Sequence, residues 1–315
     1  MSAPDAGELL TLAAKTAAAA ARLLADEGAQ ARPEVVETKS SLTDVVTEMD
    51  RRAEALITEQ IRAARPGDAI LGEEGGETHG APAPGQPDGG APAAEVRWIV
   101  DPLDGTVNYL YGLSDWAVSI AAEVAGTIVA GVVAVPLHGE TFLAVRGQGA
   151  WRRTDSGLHS AVGSGAVRSG AVGSGAVGSG PGGSGADGDT ALRCNRGVPL
   201  GQALVGTGFG YLPGRRRVQG EVVSALLPQI RDIRRGGSAS VDLCMVAAGR
   251  LDAFYERGLN YWDYAAGALI AAEAGARVTG LAGRPPGSSM TVAAGPGLYE
   301  QLTGALAALS PERDA

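Results

Sequence analysis

The sequence contains few of the residues that signal thiol or zinc chemistry. Only two cysteines, Cys194 and Cys244, occur in 315 residues. They are too few for a disulfide framework, and we expect both to be small buried side chains. The three histidines, His79, His138 and His159, show no metal-ligand spacing. A Gly-x-Ser-x-Gly elbow and a Walker-type loop are also absent, which argues against an α/β-hydrolase and a P-loop nucleotide hydrolase.

Long apolar runs, a basic leader and excess positive charge are missing as well. No run is long and apolar enough to span a membrane. The N-terminal segment carries acids early and has no basic stretch before its apolar run, so it predicts a helix rather than a signal peptide. The formal net charge of −9 repels phosphate backbones. We therefore expect a cytoplasmic protein with neither a membrane nor a nucleic acid as its main partner.

Hydrophobic periodicity predicts a mixed α+β fold. Aromatic residues make up only 4% of the chain, so the core must rest on aliphatic side chains. Helical spacing predicts one helix over about 5–27 and a second that starts at Thr47, where Asp50 completes a capping box, and ends at Pro66. Three β-like runs at 117–124, 127–136 and 140–147 predict an antiparallel meander. This mixture favours layered α+β sheets over a simple doubly wound fold.

Low-complexity segments suggest where the chain divides. Residues 153–190 repeat Gly, Ser, Ala and Val with almost no bulky side chains, which predicts a disordered insertion. Residues 78–95 are rich in Pro, Gly and Ala and predict a mobile loop. We therefore predict an N-terminal α+β half with a metal site at 1–152, the insertion at 153–190, and a C-terminal α/β half at 191–315 that completes the active site.

Two carboxylates follow an apolar strand in "WIVDPLDGTVNYLYG", at Asp101 and Asp104. A strand that ends at Asp101 and a helix that starts near Gly105 place both acids at the mouth of the same cleft, and Pro102 fixes the bend between strand and helix. Two hard oxygen donors suit Mg²⁺, and the free N–H groups of Gly105 and Thr106 can hold an anion. The alternative is a strand-to-helix turn with an Asp cap, but a cap needs only one acid.

Other acidic residues are weaker candidates on local sequence. Glu73 and Glu74 follow a second apolar strand, and we choose Glu73 because it is nearer the strand. Asp263 opens an apolar helix, where an N-cap and a metal ligand are equally good interpretations. Lys39 and Asp44 precede the second helix, and neither would be chosen from its local sequence alone.

Four segments together resemble the inositol monophosphatase family. In chain order they are "KSSLTDVVTEMD", "LGEEGGE", "WIVDPLDGTVN" and "YWDYAAGALIAAEAGA". They match the family's Lys-x-x-x-x-Asp-x-Val-Thr-x-x-Asp segment, its acidic pair after Gly, its Asp-Pro-(Ile/Leu)-Asp-Gly-Thr box and its Trp-Asp-x-Ala-(Ala/Gly)-Gly motif. The resemblance covers nearly the whole chain apart from the insertion and the Pro-rich loop.

The resemblance implies a layered α-β-α-β-α sandwich, a Mg²⁺ cofactor, inhibition by Li⁺ and a homodimer. The implied metal ligands are Glu73, Asp101, the carbonyl of Leu103, Asp104 and Asp263. The implied catalytic residues are Thr106, which aided by Asp44 would orient and activate the attacking water, and Glu73, which would help through a bound ion. The implied substrate contacts are Gly105, Thr106, Gly237, Ser238, Ala239, Glu256 and Asp263, with Glu256 accepting hydrogen bonds from sugar hydroxyls.

The implied activity is Mg²⁺-dependent hydrolysis of inositol monophosphate. Histidinol phosphate, fructose 1,6-bisphosphate and a nucleotide 3′-phosphate are alternative substrates for the same chemistry. A hypothesis of another class is a regulatory, partner-binding protein on this fold. Intact acids at every implied ligand position speak against binding as the main role, because a fold kept only for binding would be free to lose Asp101 or Asp263.

Overall fold

The computed structural model describes residues 4–28, 35–38, 45–80, 96–154 and 189–313. Within these ranges the α-helices are α1 (Ala6–Gly28), α2 (Glu48–Ala64), α3 (Thr106–Leu110), α4 (Pro213–Leu226), α5 (Ala239–Ala247), α6 (Tyr261–Glu273) and α7 (Leu298–Ala308). The strands are β1 (Val35–Thr38), β2 (Val45–Thr47), β3 (Ala69–Gly72), β4 (Gly76–Thr78), β5 (Val96–Asp104), β6 (Ala117–Val124), β7 (Thr127–Val135), β8 (Glu140–Val145), β9 (Gly149–Thr154), β10 (Thr190–Ala191), β11 (Leu204–Thr207), β12 (Asp232–Arg234), β13 (Ala253–Glu256), β14 (Arg277–Thr279) and β15 (Thr291–Ala294).

The larger sheet contains the predicted meander. Its strand order is β10-β9-β8-β7-β6-β5-β3-β4. The strands from β5 to β9 pair antiparallel, which confirms the meander, while β3 and β5 run parallel. The parallel pair matters for function, because the carboxyl ends of β3 and β5 open at the same edge of the sheet.

The helices α1 and α2 cover one face of this sheet. The predicted start of α2 is confirmed, because Thr47 and Asp50 form a full capping box. Aliphatic side chains of both helices, such as Leu24 and Ile57, pack with Trp98 and other inward-facing strand residues into one core. No helix in the described part of the chain is long and apolar enough to cross a membrane.

The helices α5 and α6 separate the larger sheet from a smaller one, which has the strand order β12-β11-β13-β15-β14. A second core fills the space around these two helices, and a third lies between the smaller sheet and the outer helices α4 and α7. The layers therefore run α-β-α-β-α, and the predicted α+β class is confirmed.

Short elements and one boundary differ from the sequence predictions. The strands β1, β2, β4 and β10 have two to four residues and no readable alternation. Helix α4, predicted near 217–227, begins at Pro213, whose fixed φ suits a first helical turn. Strand β9 extends to Thr154 and β10 begins at Thr190, inside the segment predicted as an insertion. Residues 81–95 and 155–188 lie outside the described residues.

Candidate active site

A pocket of about 340 Å³ opens where β3 and β5 end and where α5 and α6 begin. Both halves of the chain contribute to its wall. The predicted site residues that line it are Glu73, Asp101, Leu103, Asp104, Gly105, Thr106, Gly237, Ala239, Glu256 and Asp263. Residues far apart in sequence therefore line one cavity, as the family resemblance implied.

The end of β5 delivers the first two acids. Asp101 is 1% exposed, and its Oδ1 accepts a hydrogen bond of 3.0 Å from the backbone N–H of Leu103. The pairing of β5 with β6 shifts register between Asp101 and Asp104, which turns the chain so that both carboxylates reach the pocket. Gly105 follows at φ 94°, and a Cβ there would lie 2.9 Å from the carbonyl oxygen of Asp115. Any other residue would strain this turn.

Asp104 joins the two halves of the molecule. Its Oδ2 accepts hydrogen bonds from the Ser238 hydroxyl at 2.6 Å and from the Ser240 backbone N–H at 2.7 Å. Ser238 is also the N-cap of α5, with its Oγ accepting from the backbone N–H of Val241. The resemblance makes Ser238 a substrate contact, and in the structure its hydroxyl orients an acidic pocket residue.

Asp263 caps α6, as one of the two sequence interpretations had it, and its side chain also lies at the pocket. It lines the pocket on the first turn of α6. Its Oδ2 accepts a 2.7 Å hydrogen bond from the backbone N–H of Asn260 and so closes a capping box. One carboxylate oxygen serves as the cap, which leaves Oδ1 for a ligand.

Thr106 is paired with a carboxylate that the sequence pattern assigns to a helix cap. The Thr106 hydroxyl lies 3.1 Å from Asp50 Oδ1 and 3.1 Å from the carbonyl oxygen of Leu103. Asp50 is 1% exposed, and its Oδ2 accepts a hydrogen bond of 2.8 Å from the backbone N–H of Thr47. The predicted helper, Asp44, lies outside the described residues, so the carboxylate that the structure shows at Thr106 is Asp50.

Glu73 is presented by a turn that a buried acid on α2 holds in place. Glu54 accepts hydrogen bonds from the backbone N–H groups of Glu74 at 2.8 Å and Gly75 at 2.7 Å. A Cβ at Gly72 would lie 2.6 Å from the Glu54 carboxylate, so glycine is needed for this close approach. The choice of Glu73 over Glu74 agrees with the pocket wall, to which only Glu73 of the two contributes.

The fold has close counterparts among solved structures. Mycobacterium tuberculosis SuhB matches with a TM-score of 0.72 and 38% identity, over 98% of this chain and 99% of that one. Inositol monophosphatase from Anabaena matches with a TM-score of 0.71 and 28% identity, over 97% of each chain. The model of the inositol monophosphatase family matches residues 5–314. The chain belongs to the inositol monophosphatase family.

Curated relatives carry two kinds of name. "Inositol-1-monophosphatase SuhB" of M. tuberculosis is 43% identical over 272 residues, covering 86% of this chain and 81% of that protein. "Nus factor SuhB" of Pasteurella multocida is 33% identical over 271 residues, covering 86% and 84%. Membership of this family supports phosphatase chemistry on a small phosphate ester, and the family is generally metal-dependent.

Burial and neighbouring negative charges disfavour the ionised forms of two acids in this pocket, Asp101 and Asp263. Burial, helped by the nearby charges of Glu73 and Asp104, raises the pKa of Asp101 well above its ordinary value. Burial and the same two charges also raise the pKa of Asp263. Glu73 and Asp101 lie close enough for a carboxyl–carboxyl hydrogen bond, which needs a shared proton. A bound cation would offset the repulsion between the Glu73 and Asp101 carboxylates, as the shared proton does, and would favour their ionised forms.

The donor set fits a hard divalent ion that retains part of its own hydration. The pocket offers carboxylate oxygens and the Leu103 carbonyl, and no thiol or imidazole among the wall residues described. In the described ranges no three acidic, His or Cys side chains are gathered closely enough to form a ligand group alone. Mg²⁺ needs no such complete protein cage, because it keeps waters and takes substrate phosphate oxygens as ligands.

The pocket wall also contains Glu256, which the resemblance implied, and two arginines, Arg215 and Arg235, which the sequence analysis missed. Burial raises the pKa of Glu256 to about 8, while Arg235 lowers it. Asp242 on α5 is also buried, and burial together with Glu256 raises its pKa well above the ordinary value. Arg215 lines the same wall. No motif marks Asp242, Arg215 or Arg235, because they lie on α5, on α4 and between β12 and α5 and come together only in the folded chain.

We expect Glu54→Gln to weaken metal activation without removing catalysis. A glutamine keeps one acceptor oxygen for the two N–H groups that Glu54 now binds, so the turn carrying Glu73 loosens. Loss of an outer-shell partner typically costs about 10–100-fold in metal affinity or activity. The Mg²⁺ concentration for half-maximal phosphate release should therefore rise about tenfold or more, with kcat at saturating Mg²⁺ largely kept.

The matched control is Glu59→Gln, an exposed glutamate on the same helix. If Glu54→Gln lowers the melting temperature but leaves the Mg²⁺ concentration for half-maximal activity unchanged, Glu54 only stabilises the fold.

Proposed function

We propose that this protein is a Mg²⁺-dependent phosphomonoesterase that hydrolyses inositol monophosphate to inositol and phosphate. The observation that supports it most is the convergence of Glu73, Asp101, Asp104 and Asp263 on one pocket that also holds the Thr106–Asp50 hydrogen bond. The acids would hold the cation, with the Leu103 carbonyl as a further ligand. When bound, Mg²⁺ lowers the pKa of a bound water and neutralises charge on the phosphoryl group.

The hydrogen bond between Thr106 and Asp50 orients the Thr106 hydroxyl group. In this proposal Thr106 donates its proton to Asp50 rather than to the equally distant Leu103 carbonyl, and its oxygen keeps a lone pair to accept a hydrogen bond from the attacking water. That contact orients the water oxygen toward phosphorus and begins to remove its proton. Burial raises the pKa of Asp50, and the charge of Glu74 adds to this, so Asp50 is suited to hold a proton passed along this chain.

Recognition of the alcohol part would fall to the C-terminal half. Glu256 lines the pocket and lies against Gly208, where a Cβ would be 2.0 Å from Glu256 Oε2. Gly105 and Thr106 would hold the phosphate with their main chain, and Gly237, Ser238 and Ala239 lie beside it at the start of α5. The carboxyl oxygens of Glu256 can accept hydrogen bonds from vicinal hydroxyls, which favours a small polyol. Relatives named inositol-1-monophosphatase support the same substrate.

The proposal is tested by phosphate release from inositol 1-phosphate and histidinol phosphate side by side, with and without Mg²⁺. Protein carrying Asp101→Asn controls for contaminating phosphatase. Efficient turnover of inositol 1-phosphate that needs Mg²⁺ and is absent in the variant supports the proposal. A strong preference for histidinol phosphate would keep the site and change the substrate, and no hydrolysis above the variant would overturn both.

Three further properties belong to the same proposal. We expect inhibition by Li⁺ in competition with Mg²⁺, a homodimer in solution, and a cytoplasmic location. Light scattering coupled to size-exclusion chromatography measures the dimer directly, and Li⁺ titration at two Mg²⁺ concentrations measures the competition.

A regulatory, partner-binding role is the second candidate, favoured by relatives named Nus factor SuhB. Capture of a defined partner that persists in Asp101→Asn protein and without Mg²⁺ would support it. It would stand as the main role only if the substrate assays also fail.

A further inference from the structure

A run of three arginines at the start of α4 contains one member unlike its neighbours. Arg216 and Arg217 are exposed, whereas Arg215 is partly buried and lines the pocket. Among the described residues, none forms a hydrogen bond or an ion pair with the Arg215 guanidinium. A partly buried cation that has lost hydration and gained no partner is unfavourable, unless a ligand supplies the missing oxygens.

Two glycines make room for this side chain. A Cβ at Gly210 would lie 2.8 Å from Arg215 Cδ, and a Cβ at Gly258 would lie 2.3 Å from its Nη1. Gly258 comes two residues after Glu256, which ends β13. The guanidinium is therefore held beside the end of β13 that carries Glu256, rather than with the acids at the ends of β3 and β5.

The second cation in the described pocket wall has a different environment. Burial raises the pKa of Glu256 and Asp242, and the nearby charge of Arg235 opposes that rise in both. Two acids of the protein therefore lie near the charge of Arg235. Arg215 has no such acid identified at its guanidinium, which leaves its fork of N–H donors for a ligand.

We infer that Arg215 binds a second anionic group of the substrate, at the end of the molecule opposite the phosphate that is hydrolysed. This inference rests on the proposed phosphatase function and extends its substrate class. Inositol monophosphate would lie between Glu256 and the acids at the ends of β3 and β5. A substrate with a further phosphate or carboxylate would also reach Arg215. Guanidinium groups bind both oxyanions in a bidentate way, and such charge-assisted bonds are stronger than those to a neutral hydroxyl. An ammonium group at this end, as in histidinol phosphate, would be repelled.

Two matched substrate pairs test the inference and separate the two oxyanions. Fructose 1,6-bisphosphate against fructose 1-phosphate adds a phosphate, and 6-phosphogluconate against sorbitol 6-phosphate replaces a hydroxymethyl group with a carboxylate. In the wild-type protein we expect the member that carries the second anionic group to have the higher kcat/KM in at least one pair. Arg215→Gln should reduce that ratio about tenfold or more, mainly through KM. Arg216→Gln, one residue along and exposed, should leave it unchanged.

The outcomes separate the inference from the proposed function. A response in the first pair alone identifies a phosphate, and a response in the second alone identifies a carboxylate. Equal ratios in the wild-type and Arg215→Gln proteins would overturn the inference, as would an equal loss for both members of each pair. Arg215→Lys keeps the charge without the fork and should recover part of the preference, which a folding defect would not. If no substrate is hydrolysed the proposed function fails, and calorimetric titration of the same pairs then decides whether Arg215 distinguishes them.

Discussion

Asp101→Asn is expected to reduce kcat/KM for phosphate release by about a thousandfold or more. Asp101 is buried in the pocket wall near the charges of Glu73 and Asp104, and the change removes a proposed cation ligand while keeping nearly the same shape. Metal stabilisation of charge in the transition state contributes several kcal/mol, and each 1.4 kcal/mol is about a factor of ten in rate. The amide oxygen can still accept the Leu103 N–H, so the turn after β5 should persist. Phosphate release at saturating Mg²⁺ measures the effect.

The same change should stabilise the metal-free protein. The pKa of Asp101 is raised in the folded state, so its charged form is disfavoured there and its contribution to stability falls as pH rises above the ordinary Asp value. Asparagine carries no such penalty. We therefore expect the variant to melt at a higher temperature than wild type at pH 8 without Mg²⁺, with the difference shrinking toward pH 4.

Added Mg²⁺ should reverse the order, because a ligand that binds only the folded state stabilises it. Asp26→Asn, an exposed acid on α1, controls for a simple change in net charge. A variant that is active, or that is less stable than wild type both with and without Mg²⁺, would contradict a cation-binding role for Asp101.

Thr106→Ala and Asp50→Asn are each expected to reduce kcat by about 10²–10⁴-fold, the usual range for a lost acid–base contact. The Thr106 hydroxyl and Asp50 act as one unit, since the hydroxyl lies 3.1 Å from Asp50 Oδ1. The double variant should therefore be little worse than either single one. KM should change little, because neither side chain is assigned to substrate binding.

Thr106→Ser keeps the hydroxyl and should retain most activity, which separates loss of the proton path from loss of packing. If the two single losses multiply in the double variant, Thr106 and Asp50 act independently and the proposed water-orienting pair is wrong.

Asp101 and Asp104 could be predicted as site residues because they share one local motif. Asp50 and Asp263 could not be fully assigned, because each is also explained as a helix cap. Asp101 and Asp104 follow a strand and precede a glycine, and a helix cap would need only one of these two acids. The capping box accounts for Asp50 by itself, so nothing in the sequence demands a second partner for this carboxylate. Asp50 caps α2 with one oxygen and contacts the Thr106 hydroxyl with the other. Asp263 caps α6 with one oxygen, and we propose that its other oxygen binds the cation.

The residues that sequence analysis missed depend on contacts between distant elements. Glu54 reaches the turn after β3 only because Gly72 leaves room for its carboxylate, and Arg215 reaches the pocket only across Gly210 and Gly258. Hydrophobic periodicity predicts the helices that carry these residues, but not the direction in which a polar side chain leaves them. The meander and the mixed α+β class were predictable from apolar patterning, whereas the α-β-α-β-α order of the layers was implied by the family resemblance.

The central claim is that a cation held by the acidic pocket drives hydrolysis of a phosphate monoester. Its most direct test is phosphate release from inositol 1-phosphate during a Mg²⁺ titration, with wild-type and Asp101→Asn proteins in parallel. We predict saturable activation of the wild type and at most about a thousandth of that activity in the variant at every Mg²⁺ concentration. Equal activity in the two proteins, or wild-type activity that does not depend on a divalent cation, would contradict the claim.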